Sequence, residues 1–102
     1  MAVTLVGSRR SSLEIVWEIL SLCAADGVGK TAIMYRSNLS HSQLVRYLSF
    51  LFTEGFLARN TSGHFTTTAK GQQTLEQIAV VMKILLSLRQ GGGGEPNDNG
   101  NS

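Results

Sequence analysis

Residues Lys30 to Leu57 read KTAIMYRSNLSHSQLVRYLSFLFTEGFL and divide into two helical pieces and a stop. Thr31 to Ser37 is short and apolar on one side through Ile33, Met34 and Tyr35, which suits a helix of two turns. Asn38-Leu39 breaks that pattern, and Ser40 stands where an N-cap belongs, with a hydroxyl to accept from an orphan amide of the next helix. From His41 to Glu54 the apolar residues Leu44, Tyr47, Leu48 and Leu51 recur three and four apart, so one face is apolar. Gly55 ends this helix, because a residue without Cβ takes the left-handed conformation at little cost.

The pattern extends in both directions. Upstream, Ser11 and Glu14 have the S-x-x-E spacing in which hydroxyl and carboxylate each satisfy an unpaired amide. Leu13, Val16, Trp17, Leu20 and Cys23 then form a stripe, with Glu14 and Glu18 off it, until Asp26-Gly27 stops a first helix of about residues 12 to 25. Downstream, Phe56 to Arg59 and His64 to Thr67 are β-prone runs around Asn60-Thr61-Ser62-Gly63, the signature of a hairpin. Thr68 caps a last helix that continues to about Arg89, roughly 33 Å long at 1.5 Å per residue. Helix, helix, helix, hairpin, long helix is the order of a winged helix-turn-helix, a mainly α (α+β) fold. The expected organisation is an N-terminal arm over 1–10, the winged helix-turn-helix over 11–68, a C-terminal dimerisation helix over 69–90 and a disordered Gly-rich tail over 91–102.

With 102 residues the chain holds one small core at most. Outside the tail, nine Lys/Arg stand against five Asp/Glu, a balance of +4 that permits binding to a polyanion without establishing it. Cys23 is the single cysteine, which excludes an internal disulfide and a Cys-rich zinc site and fits a cytoplasmic, nucleoid-associated location. The longest apolar segment, Ile78 to Leu88, spans eleven residues, short of the roughly 20 needed to cross a bilayer, so no membrane is expected among the partners.

The residues offer little for catalysis. Ala24 to Thr31 (AADGVGKT) fits a loose phosphate-binding loop, yet such a loop follows a buried strand and opens a long helix. Here an amphipathic helix precedes and a short one follows, so nucleotide binding is not expected. His41 and His64 have no Cys, Asp or Glu within four residues, which disfavours a metal site. No nucleophile elbow or activated base is visible, Cys23 sits on an apolar stripe as a buried thiol, and no small-molecule ligand is evident. The chain is expected to be no enzyme and to need no cofactor.

The third helix is more informative. Its apolar stripe leaves His41, Ser42, Gln43 and Arg46 on the other side, and these residue types pair with base edges and phosphates. The hairpin carries Arg59, Asn60 and His64 to its tip, and Lys70 and Arg36 are further candidates for phosphate contact. In a winged helix-turn-helix the third helix enters the major groove of double-stranded DNA while the wing reaches the neighbouring backbone. On the last helix Leu75, Ile78, Met82 and Leu85 alternate three and four apart as far as Arg89, and Val80, Val81, Ile84, Leu86 and Leu88 widen the apolar surface. A small domain cannot cover all of it, so a homodimer through this helix is expected, with Leu75, Ile78, Met82, Leu85 and Arg89 at the seam.

Residues 13 to 78 resemble the small archaeal winged-helix regulators, a group that includes ten-kilodalton DNA-binding proteins of Sulfolobus type. The resemblance rests on LEIVWEIL, on the K-T-x-I-M-Y-x-x-N-L-S run with its following L-x-x-Y-L, and on GHFTTTAKGQQTLEQI. It implies a dimer joined by an antiparallel coiled coil of C-terminal helices, binding double-stranded DNA without a cofactor. Because Arg46 and Arg59 are nearly the only cations of the third helix and wing, a sequence-specific transcriptional regulator is expected over an architectural chromatin protein. A rival reading is a protein-interaction module, with Phe50 on the outer side of the third helix beside Gln43 and Arg46.

Overall fold

The computed structural model describes residues 11–90. The expected N-terminal arm, with Arg9 and Arg10, and the expected Gly-rich tail lie outside the described residues. Four helices and a two-stranded sheet follow in chain order: α1 (Ser12–Ala25), α2 (Lys30–Ser37), α3 (His41–Thr53), β1 (Leu57–Arg59), β2 (Phe65–Thr67) and α4 (Ala69–Arg89).

Local chemistry sets the ends of these elements. Ser11 Oγ accepts from the Glu14 amide at 3.1 Å, and the Glu14 carboxylate accepts from the Ser11 amide at 2.8 Å, a complete capping box for α1. Asn38 closes α2 in the left-handed conformation (φ +53°), which an Asn tolerates better than most residues. Ser40 and Gln43 form a second capping box that starts α3, and Gly55 (φ +81°) turns the chain out of it into β1. Thr68 Oγ1 accepts from the Gly71 amide at 2.9 Å and donates to the Gly55 carbonyl at 2.6 Å, which ties the start of α4 to the end of α3.

Strands β1 and β2 pair antiparallel, with Leu57 opposite Thr67 and Arg59 opposite Phe65. Val28 joins β2 through an isolated antiparallel bridge, exchanging both backbone hydrogen bonds with Phe65 at 2.9 and 2.8 Å. The GVGKT stretch therefore serves the wing. A Cβ on Gly27 would meet Asn60 Nδ2 at 2.6 Å and His64 Cβ at 3.0 Å, so glycine stands there because the wing lies on it. This is a different arrangement from a loop whose amides converge on phosphate.

The core is built from Ile15, Ile19, Leu20 and Cys23 of α1, Ile33 of α2, Leu44, Leu48 and Leu51 of α3, Leu57, Phe65, and Ile78 and Met82 of α4. This corrects the apolar stripe expected for the first helix, where Leu13, Val16 and Trp17 are only partly buried and Ile15 and Ile19 lie deep. The reason is that α1 is central, with α2, β2 and α4 all packed on it, so its buried arc is wider than one stripe. Burial also desolvates the Cys23 thiol and pushes its pKa up to about 11.

Helix α4 returns along α1 in the opposite sense. At one end Thr67 Oγ1 donates to the Leu20 carbonyl at 2.8 Å; at the other the Arg89 guanidinium meets the Glu14 carboxylate at 2.8 Å. Glu14, expected off the apolar stripe, is buried at 7% exposure, and Arg89, 75 residues away in the chain, neutralises it there. The hydrogen bond from Arg89, then the Ser11 amide, hold the Glu14 carboxyl below its ordinary value.

The dimer seam expected at Leu75, Ile78, Met82, Leu85 and Arg89 requires correction. Ile78 and Met82 are buried against the chain's own core, Leu75 and Leu85 pack beside them, and Arg89 is paired with Glu14. A three-and-four spacing identifies a coherent apolar stripe but not what covers it, and here α1 covers it. The apolar side chains that α4 leaves in solvent are Val80, Val81, Ile84, Leu86 and Leu88.

Candidate nucleic-acid interface

Helix α3 and the wing carry most of the residues expected to meet DNA. Residues 41–53 and 57–67 contain no Asp or Glu, so every formal charge on these two elements is positive. His41, Ser42, Gln43 and Arg46 are all exposed on the first two turns of α3, as expected from their position opposite Leu44, Leu48 and Leu51. The Arg46 guanidinium lies 5.8 Å from the centroid of the Tyr47 ring, and the Tyr47 hydroxyl donates to Ser12 Oγ at 2.9 Å. That chain of contacts links the position of Arg46 to the start of α1.

Several candidates have other partners. Gln43 Oε1 accepts from the Ser40 amide at 3.1 Å, so the carboxamide oxygen that a bidentate contact to adenine needs is already committed to the capping box. Asn60 Oδ1 accepts from the Ser62 amide at 2.9 Å and the His64 amide at 3.0 Å, which makes Asn60 the organiser of the wing turn. Gly63 completes that turn at φ +82°. Lys70 Nζ donates to the Glu54 carbonyl at 2.8 Å and sits 5.2 Å from the Phe56 ring centroid, closing the C-terminal end of α3. Arg36 lines a groove with Trp17, Glu18, Ser21 and Leu22, against α1.

Arg59 and His64 remain exposed on the wing. Arg59 is held 4.8 Å above the Phe65 ring, across the register pair that joins β1 to β2. His64 packs over the backbone that leads into α2, within 3.6 Å of where a Cβ on Gly29 would be. Sequence reasoning missed Lys30, the first residue of α2, because it was absorbed into the G-K-T run. In the fold Lys30 and Arg59 border one cleft between α3 and the wing. The signal was present in the residue type, but only the Val28 to Phe65 bridge brings it beside the wing.

Among the described residues no group of three His, Cys, Asp or Glu side chains is placed to hold a metal ion. No described helix is long and apolar enough to cross a membrane.

A family model described as winged helix-turn-helix matches residues 9–91, and the chain belongs to that family. It is 34% identical over 82 residues to the uncharacterized protein MJ0290 of Methanocaldococcus jannaschii, covering 80% of this chain and 38% of that protein. The chain thus spans well under half the length of that relative. In three dimensions it is similar to Sso10a-2, a DNA-binding protein from Sulfolobus solfataricus, with a TM-score of 0.69 at 24% identity over 82% of this chain and 90% of that one. It is also similar to the MarR family transcriptional regulator SPO1453 from Silicibacter pomeroyi, with a TM-score of 0.59 at 15% identity over 76% of this chain and 61% of that one. These likenesses establish the winged-helix fold.

Proposed function

We propose that this chain is a homodimeric double-stranded DNA-binding protein that acts as a transcriptional regulator, with α3 in the major groove and the wing on the backbone. The observation that carries this reading is the acid-free surface of α3 and wing, on which Arg46 and Arg59 are exposed cations and His41 and Ser42 lie at the start of α3, with Lys30 of α2 across the cleft from Arg59. A solvated face with no partner has no reason to exclude carboxylates, whereas a face that meets phosphates does. The DNA-binding protein of Sulfolobus and the MarR family regulator that share this fold support the same reading.

In this proposal Arg46 reads a base edge or phosphate, Arg59 and Lys30 hold phosphates, and His64 extends the wing. Gln43, Asn60 and Lys70 contribute by shaping α3 and the turn. The second copy packs on the outer stripe of α4, Val80, Val81, Ile84 and Leu88, rather than on the inner one. Two-fold symmetry then offers two recognition helices to one duplex.

Fluorescence anisotropy of a long mixed-sequence duplex at two salt concentrations tests the reading. Arg59 and Lys30 give four phosphate contacts per dimer, and six if Arg46 also meets a phosphate, so log K should fall by about 4 to 5 per log unit of salt, at 0.9 for each phosphate neutralised. Selection from a random library then separates a regulator, which enriches one site, from an architectural chromatin protein, which enriches none. Absence of binding at low salt would overturn the DNA reading and favour a protein partner at Phe50, which is half-exposed on α3.

A further inference from the structure

One apolar side chain stands in the row of α3 that the proposed docking turns toward base edges. Helix positions three and four apart lie one above the other, so Ser42, Val45 and Ser49 form a single row outside the buried stripe of Leu44, Leu48 and Leu51. All three are exposed, with Arg46 and His41 beside them. Ser42 and Ser49 are short, so the Val45 isopropyl group stands above its neighbours in the row. It is 38% exposed and belongs to no part of the core. Helix propensity does not favour it there either, because a β-branched side chain loses rotamer freedom against the preceding turn.

The polar residues of α3 leave an A·T pair poorly read. Arg46 suits the two acceptors of a guanine. Gln43 would suit adenine, but its Oε1 accepts from the Ser40 amide at 3.1 Å, which removes the acceptor half of a bidentate contact. The thymine of the same pair displays a C5-methyl group in the major groove, and that group is recognised by apolar contact.

We propose that Val45 is a specificity-determining residue whose isopropyl group packs on the C5-methyl of a thymine in each half-site. The proposal rests on the DNA reading and adds a base preference to it. Phosphate contacts by Lys30 and Arg59 position the helix without distinguishing sequences, whereas a methyl contact at Val45 separates thymine from cytosine and from uracil.

The test starts from the duplex that the full chain enriches from a random library. Each thymine of that site is replaced in turn by deoxyuridine, which removes the methyl and keeps every hydrogen-bonding group of the pair, and affinity is read by fluorescence anisotropy. At one thymine per half-site the replacement should weaken binding by about fourfold, and by about fifteenfold when both half-sites are changed, the worth of one buried methyl group at each. Val45→Ala keeps α3 helical, since alanine is the better helix former, and should bind the thymine and uracil duplexes equally. Ser49→Ala, one step along the same row, should keep the wild-type preference. Because each protein is compared on the same two duplexes, any effect of the methyl on the stiffness of the DNA cancels. Uracil tolerated at every position, or a preference that survives in Val45→Ala, would overturn the proposal while leaving DNA binding in place. A library that enriches no site, or a half-site without an A·T pair, would overturn it as well. Absence of binding to any duplex is the separate failure of the DNA reading, and it would take this proposal with it.

Discussion

Glutamate at both Val81 and Ile84 should separate the proposed dimer into folded monomers. Val80, Val81, Ile84 and Leu88 are 61%, 43%, 55% and 67% exposed in the single chain, so each has about half of its burial still to gain. Full burial of an aliphatic side chain stabilises by about 1.5–3 kcal/mol, and eight such side chains in a symmetric pair therefore contribute about 7–13 kcal/mol gross. Association costs on the order of 4–15 kcal/mol, so the seam supports a dimer of modest affinity with little to spare. Removing two of the four residues on each copy takes away about 3–6 kcal/mol, a weakening of about a hundredfold to ten-thousandfold before any repulsion between the new charges.

Sedimentation equilibrium over a range of protein concentrations measures this directly, with circular dichroism to show that the fold is kept. Glutamate at Ile78 and Met82 should do something different, because those side chains belong to the monomer core; that variant should lose its cooperative thermal transition. A Val81→Glu, Ile84→Glu protein that remains dimeric at the wild-type concentration dependence would refute the assignment of the outer stripe. A wild-type chain that is monomeric at every accessible concentration would refute the dimer itself.

Three further outcomes follow from the geometry. Arg46→Ala should weaken DNA binding by about 1–3 kcal/mol in the anisotropy assay, and an unchanged affinity and site preference would remove α3 from the interface. Gly71→Ala should lower stability by about 1–3 kcal/mol in urea unfolding although alanine is the better helix former, because the new Cβ collides with the Phe56 carbonyl and lies 2.8 Å from Thr67 Cγ2; an unchanged midpoint would refute the close packing of α4 on the β1 corner. The Glu14 carboxyl titrates below its ordinary value of 4.5 in the folded chain, so the stability from its pairing is complete above that value and is lost as pH falls through the lowered one. Thermal midpoints at pH 7 and pH 3 should therefore converge in Arg89→Met relative to wild type, and an equal acid-induced fall in both proteins would exclude the pair as its cause.

Much of the fold was legible because its boundaries are local. Ser11 with Glu14, Ser40, Gly55, the Asn60 to Gly63 turn and Thr68 each act within four residues, and each stands at the element end expected of it. The unreadable parts are those where chemistry alone leaves the partner open. The apolar positions of α4 spread around most of its circumference, so periodicity found the stripe of Ile78 and Met82 without showing that α1 would cover it. Gln43, Asn60 and Lys70 have the polarity that suits DNA and equally the polarity that caps a helix or closes a turn; only hydrogen-bond geometry separates the two uses. The burial of Glu14 was not legible because its partner, Arg89, is brought to it by the whole fold.

The two faces of α4 also bear on how rigidly a dimer would hold its recognition helices. Its inner stripe is packed on α1, and α1 packs in turn on α2 and β2, so α4 belongs to the same core that sets the pose of α3. Within α4 the only glycine is Gly71, buried in the first turn, and there is no proline, so nothing weakens the helix between the inner stripe and the outer one. The Glu14 to Arg89 pair fixes the last turn as well, and Leu88, the most exposed of the outer stripe, is the residue next to that anchor. A partner seated on Val80, Val81, Ile84 and Leu88 would therefore dock onto a surface continuous with the core. The separation of the two α3 helices would follow from the seam itself, with no hinge in between, and a duplex would be met at one half-site spacing rather than at several.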